Sequence, residues 1–166
     1  MDVDQILRAM NDGEVEYLLI GGMNFLLRHE PVLTFDVDLW IDDNEANRRR
    51  CERALGRLGA EWGRTDDDWG PVAARAPGWL DQQTVFCLTS PAGAIDVFRS
   101  VVGLANWAAV KDRAVLEATQ GAVRYWGICD EDMLRCQLAI EAPYRRTQRV
   151  ASLEKLLSRK ENRESD

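Results

Sequence analysis

Two carboxylates inside an apolar run constrain this chain more than any other feature. In LTFDVDLWIDD, residues 33–43, Asp36 and Asp38 alternate with apolar side chains in what otherwise reads as a buried strand. Side chains i and i+2 of a strand share a face, so both carboxylates point the same way, about 7 Å apart along the chain. Unpaired, they repel each other, and burying ionised carboxylates without compensation is costly. The strand carries no Lys, Arg or His to compensate them.

Elements of both kinds surround this strand. Upstream, VEYLLI reads as a buried strand and GGMNFLLRHE as a tight turn opening a helix that Pro31 closes. Residues 2–12 have helical apolar spacing (Val3, Ile6, Leu7, Met10) and stop at Asn11, Asp12 and Gly13. Downstream, DDNEANRRRCERALGRLGAEW predicts a helix with an Asp or Asn cap and Leu55 and Leu58 facing the core. GRTDDDWGPVAARAPG, residues 63–78, is a polar loop with Asp66, Asp67 and Asp68. TVFCLTS and GAIDVFRS are strands joined by a turn at Ser90, Pro91, Ala92 and Gly93, and the second holds another carboxylate, Asp96. A helical run over about 104–119 leads to the strand AVRYWGI. Helices over about 130–141 and 146–160 follow, and the charged RKENRESD is expected to fray.

The fold class expected is α/β (α+β): a short mixed sheet flanked by helices in one domain, residues 1–166. The sheet-containing core spans 1–128, C-terminal helices 129–160 and a tail 161–166. A length of 166 residues with 46% hydrophobic content fits one core of this size. The net charge of -7 argues against an extended nucleic-acid surface. Four cysteines without C-x-x-C spacing and a single histidine, His29, argue against zinc. MDVDQILRAM lacks the features of a signal peptide, and no apolar run approaches ~18 residues, so the expected setting is soluble, reduced and cytoplasmic.

Hard divalent cations answer the carboxylate problem, because Mg²⁺ prefers carboxylate oxygens and is completed by substrate phosphates. Two aspartates on one strand face, with a third from a neighbouring strand, can hold two such ions ~3.5 to 4 Å apart as a clamp for displacement at phosphorus. Gly21 and Gly22 offer bare backbone N–H groups and a helix N-terminus to a triphosphate.

The order YLLIGGMNFLL, TFDVDLWI, GAIDVF resembles the nucleotidyltransferases of the DNA polymerase β superfamily. Within it, the chain is most similar to minimal bacterial proteins grouped with the abortive-infection toxin of type IV toxin-antitoxin systems. The resemblance implies that Gly21, Gly22, Asn24 and Thr34 serve nucleotide binding. It implies Asp36, Asp38 and Asp96 as catalytic metal ligands for two Mg²⁺ ions, with Mn²⁺ as a substitute. The implied reaction moves a nucleoside monophosphate from an NTP to a hydroxyl of tRNA, a protein or a small molecule, with a toxin or antitoxin as partner. Val32 stands where the group usually has arginine; Gln137, Thr147 and Gln148 stand where it tends to have lysine or a Lys-Asp pair. Arg145, Arg146 and Arg149 are substitutes if the last helix brings them to the cleft.

Plainer readings stand beside these. The aspartates can be strand-end carboxylates or a helix cap, and the glycines an ordinary β-to-α turn. His29 reads as a capping or surface residue, and the six tryptophans mostly as core, with one from the long loop a candidate for stacking on a base. Arg48, Arg49, Arg50, Arg53 and Arg57 read as a solvated helix face. The alternatives to an active enzyme are a catalytically degenerate nucleotide-binding protein and a protein-interaction module.

Overall fold

The computed structural model describes residues 1–164. Helix α1 (Val3–Asp12) precedes β1 (Tyr17–Leu19), α2 (Gly21–Arg28), β2 (Asp36–Ile41) and α3 (Glu45–Arg57). Short strands β3 (Glu61–Trp62) and β4 (Gly70–Pro71) pair with each other ahead of β5 (Val85–Leu88) and β6 (Ala94–Phe98). Then come α4 (Trp107–Asp112), β7 (Val115–Ala118), β8 (Arg124–Gly127), α5 (Asp130–Ala139) and α6 (Thr147–Glu164). Six strands form one mixed sheet in the order β5-β6-β2-β1-β8-β7. β2 lies parallel to β6 and antiparallel to β1, while β1 and β8 are parallel. Among the described residues no helix is long and apolar enough to cross a membrane.

The pleat of β2 divides the molecule. Val37, Leu39 and Ile41 enter one core with Ile6, Leu7 and Met10 of α1 and Cys51, Ala54 and Leu55 of α3. Trp40 joins the opposite core with Phe25 of α2, Met133 of α5 and Leu153 of α6. Strand alternation sends Asp36 and Asp38 to this second face, the side that α2, α5 and α6 cover. Side-chain caps set the helix starts: Asp2 accepts from the Gln5 N–H, and Asn44 from that of Asn47. Buried Asn47 then ties α3 to the start of β1, its amide bonding both the N–H and the C=O of Glu16.

Three segments differ from the sequence expectation. The helical run over 104–119 is only the six-residue α4; residues 115–118 form β7, a hairpin partner of β8 with Leu116 opposite Trp126. Cross-strand pairing overrides the local helical pattern there. The helix expected through Trp62 ends at Arg57, because Gly59 takes a left-handed φ of 73° and turns the chain into β3. The last helix continues to Glu164 instead of fraying after residue 160. Residues 165–166 of the expected tail lie outside the described residues.

The long loop is pinned. Arg75 donates to the carbonyls of Trp62 and Asp68, and the buried Glu52 carboxylate accepts from the N–H groups of Gly78 and Leu80. Asp66, Asp67 and Asp68 form an exposed single turn. The arginine run on α3 divides: Arg48 pairs with Asp43 and Asp81, Arg49 with Glu52 and Asp81.

Candidate functional site

Adjacent parallel strands bring the three aspartates together. The register pairs Asp38 with Asp96, and Asp36 lies two residues earlier on the same face. One carboxylate oxygen from each lies within 4.8 Å of the other two, and all three side chains are half-buried. Thr34 donates its hydroxyl to Asp36 at 3.2 Å and so orients it.

The group carries excess negative charge. Burial, then Asp36, then Asp96 push the Asp38 carboxyl up to about 7, against the opposing pull of the Gly22 N–H and Arg149. Asp96 is also raised, first by burial, although a hydrogen bond from the Cys87 thiol works the other way. Cys87 is the register partner of Asp96 on β5 and is exposed. Partial shielding of its thiol from water first, and then Asp96, pushes it up to about 11.

The glycines are required by this packing. Gly21 has a φ of 66°, and a Cβ there would run into the Asp38 carboxylate. A Cβ on Gly22 would stand 2.7 Å from Thr34 Oγ1 and 3.1 Å from Arg149 Nη2. The turn therefore sits against the acidic group and already donates one N–H to it.

Opposite the turn, α6 supplies cations. Arg149 lies over the Phe25 ring at 5.7 Å, and its Nε is buried without a hydrogen-bond partner. Burial and Arg146 lower its pKa, while Asp38 and Asp36 raise it. Arg145, Arg146 and Arg149 all line one cleft of about 950 Å³ with Gly21, Asp36 and Asp38. The Arg145 side chain is engaged with the Leu138 and Ile140 carbonyls and Gln137 accepts from the Arg146 backbone N–H, while the Arg146 side chain is exposed and the Arg149 side chain half-buried in the cleft. Sequence reading placed these arginines near the site only as an option, since nothing local in a helix start shows where the helix docks.

Asn24 is turned away from the cleft. It is fully buried, and its amide donates to the Ile128 carbonyl at 3.0 Å, joining α2 to the end of β8. His29 follows α2 and meets Asp130 at 2.9 Å, beside the Arg28–Asp130 ion pair. Trp62 and Trp79 stack in the core with ring centroids 5.6 Å apart, and Trp69 of the long loop bonds Glu61. No tryptophan lines the cleft.

Three carboxylates at this spacing, half-shielded and short of countercharge, fit a hard cation with oxygen ligands. No family model matches the chain, and no curated protein matches it. Among solved structures, a candidate nucleotidyltransferase from Thermotoga maritima is similar at 15% identity over 93% of this chain and 89% of that one, with a TM-score of 0.49.

Proposed function

We propose that this chain is a metal-dependent nucleotidyltransferase that moves a nucleoside monophosphate from an NTP to a hydroxyl acceptor, the acceptor oxygen bonding the α-phosphorus as the α–β bond breaks and pyrophosphate leaves. The observation carrying this reading is the convergence of Asp36, Asp38 and Asp96 from two paired strands against a glycine turn, with Asp36 and Asp38 lining a cleft that also holds Arg146 and Arg149. Mg²⁺, or Mn²⁺ in its place, held by these carboxylates supplies charge stabilisation at the reacting phosphoryl group. The chain's own groups do the rest. Arg146 and Arg149 pair with phosphate oxygens, and the backbone at the start of α2 offers N–H donors to them. Asp96, whose pKa is raised, accepts the proton of the acceptor hydroxyl at a carboxylate oxygen. Thr34 holds Asp36 in place through its 3.2 Å hydrogen bond.

The three motifs, similar to those of the minimal bacterial group, support a finer reading: a toxin-antitoxin component acting on tRNA, protein or small-molecule hydroxyls. Four free cysteines and an NTP donor fit the cytoplasm.

The test is titration of ATP, GTP, CTP and UTP with and without Mg²⁺, comparing the natural protein with the Asp36→Ala, Asp38→Ala double variant. Transfer of radiolabel to total tRNA and protein follows. Binding that requires Mg²⁺ and is lost in the folded double variant supports the site; absence of binding to every nucleotide overturns it. A second reading, nucleotide binding without turnover, draws on Val32 and Gln137 at positions where the resembling group carries basic residues. Binding without label transfer to any acceptor selects it.

A further inference from the structure

The cleft changes character from floor to mouth. Asp36, Asp38, the two glycines and Arg149 make a polar floor. The mouth is built by the irregular segment between α2 and β2 and by the turn Ala142–Tyr144 between α5 and α6. Leu33, Phe35 and Tyr144 stand there 81%, 74% and 72% exposed, and they are the three most exposed large apolar side chains of the described residues. Their placement on one cleft separates them from the scattered surface hydrophobics that need no explanation.

We infer that Phe35 and Tyr144 receive the base of the nucleotide by stacking, an inference that rests on the nucleotide reading of the floor. The ligand that matches such a cleft is charged at one end and flat and uncharged at the other. A nucleoside triphosphate has that form: its phosphates meet Arg146 and Arg149, and its base reaches the aromatic mouth. Two charged side chains near the mouth are engaged elsewhere. Glu30 accepts from Ser152, and Arg145 is bonded to the Leu138 and Ile140 carbonyls. Stacking on Phe35 and Tyr144 supplies the base's share of the affinity, and every base presents a π face. The mouth therefore holds all four nucleotides with little discrimination, purines somewhat tighter because they stack over more area.

The experiment measures, in the presence of Mg²⁺, the affinities of ATP, GTP, CTP, UTP and inorganic tripolyphosphate by calorimetry. It compares the natural protein with Phe35→Ala, Tyr144→Ala, Tyr144→Trp and Asp36→Asn. Both aromatic side chains are exposed, so their alanine variants keep the fold. Each alanine variant should weaken every NTP about 10-fold and leave tripolyphosphate unchanged, Tyr144→Trp should bind every NTP at least as tightly as the natural protein, and Asp36→Asn should weaken NTP and tripolyphosphate alike. Unchanged NTP affinity in both alanine variants, or an equal loss for tripolyphosphate, overturns the base site while the nucleotide reading stands. If the natural protein binds neither NTP nor tripolyphosphate, the nucleotide reading fails and the base site falls with it.

Discussion

Asp38 and Asp96 are register partners across the parallel β2–β6 ladder. Side chains in register on neighbouring strands share a face at close range, so the sheet itself forces two carboxylates together. Asp36 makes a third, and Cys87, facing Asp96 from the edge strand, lends a thiol instead of a positive charge. Arg149 is the cation nearest enough to matter to Asp38, and it is itself partly desolvated. Folding without a bound cation therefore stores like-charge repulsion in this group.

Burial of the Asp38 carboxyl, with repulsion from Asp36 and Asp96 added to it, sets a pH dependence. The Asp38 carboxyl rises from 3.8 to about 7 on folding, so the folded state holds its proton more tightly than the unfolded state does. The resulting stability is fully present below pH 3.8 and is lost as pH rises to about 7. In EDTA, thermal midpoints should fall over that window, and Asp38→Asn should flatten the fall. Added Mg²⁺ should raise the midpoint much more at pH 8 than at pH 5, because the ion competes with the proton for the same oxygens. Equal Mg²⁺ stabilisation at both pH values would count against Asp38 as a ligand.

The glycine turn makes a second prediction. Gly21→Ala combines a left-handed φ of 66° with a collision against the Asp38 carboxylate, and should cost about 2 to 4 kcal/mol in urea denaturation. It should also weaken Mg²⁺ binding, since relief of the collision moves Asp38. Gly70→Ala is the control, having nothing within 4 Å of its added Cβ, and should change stability by less than ~0.5 kcal/mol. Comparable losses in the two variants would remove the close-approach account of Gly21.

Much of this site was legible because its signals are local. Alternation placed Asp36 and Asp38 on one face, and the hairpin of residues 84–100 put Asp96 on a second strand. The sequence did not show that β6 lies beside β2, because pairing between distant strands depends on how the whole sheet closes. Arg149 was ambiguous for the same reason: its role depends on where α6 docks, which Leu153 decides by entering the core with Phe25. Residues 115–118 misled because four residues of a short hairpin are too few to show a period against a helical background. Cys87 was hidden in an apolar strand whose outer face happens to be a sheet edge.

At the start of α5 lies a buried charge cluster unrelated to the cleft chemistry. Asp132 is fully buried, and Arg113 grips it with two hydrogen bonds of 2.6 and 2.7 Å while Arg135 adds one of 3.1 Å. The arginines are partly exposed, so the two sides of the pair are not equivalent. Arg113→Ala leaves a buried carboxylate with less compensation and should cost about 3 kcal/mol. Arg113→Ala with Asp132→Leu removes that unpaired charge and should recover most of the loss. Chemical denaturation of the single and double variants measures both, and a double variant no more stable than Arg113→Ala would refute the account.

Asn24 separates a structural from a nucleotide-binding role for the glycine turn's neighbour. Its amide donates to the Ile128 carbonyl at 3.0 Å, and Arg28 donates to the same oxygen at 2.8 Å. Asn24→Ala therefore removes one of two donors without orphaning the carbonyl, and the expected loss of stability is modest, about 1 kcal/mol. Because Asn24 is buried between α2 and β8, NTP affinity per folded molecule should stay within about 2-fold of the natural protein, a change below ~0.5 kcal/mol. Thermal denaturation and nucleotide titration on the same preparation check the two halves. An affinity loss of 10-fold or more, about 1.4 kcal/mol, with stability unchanged would mean that Asn24 turns into the cleft when nucleotide binds.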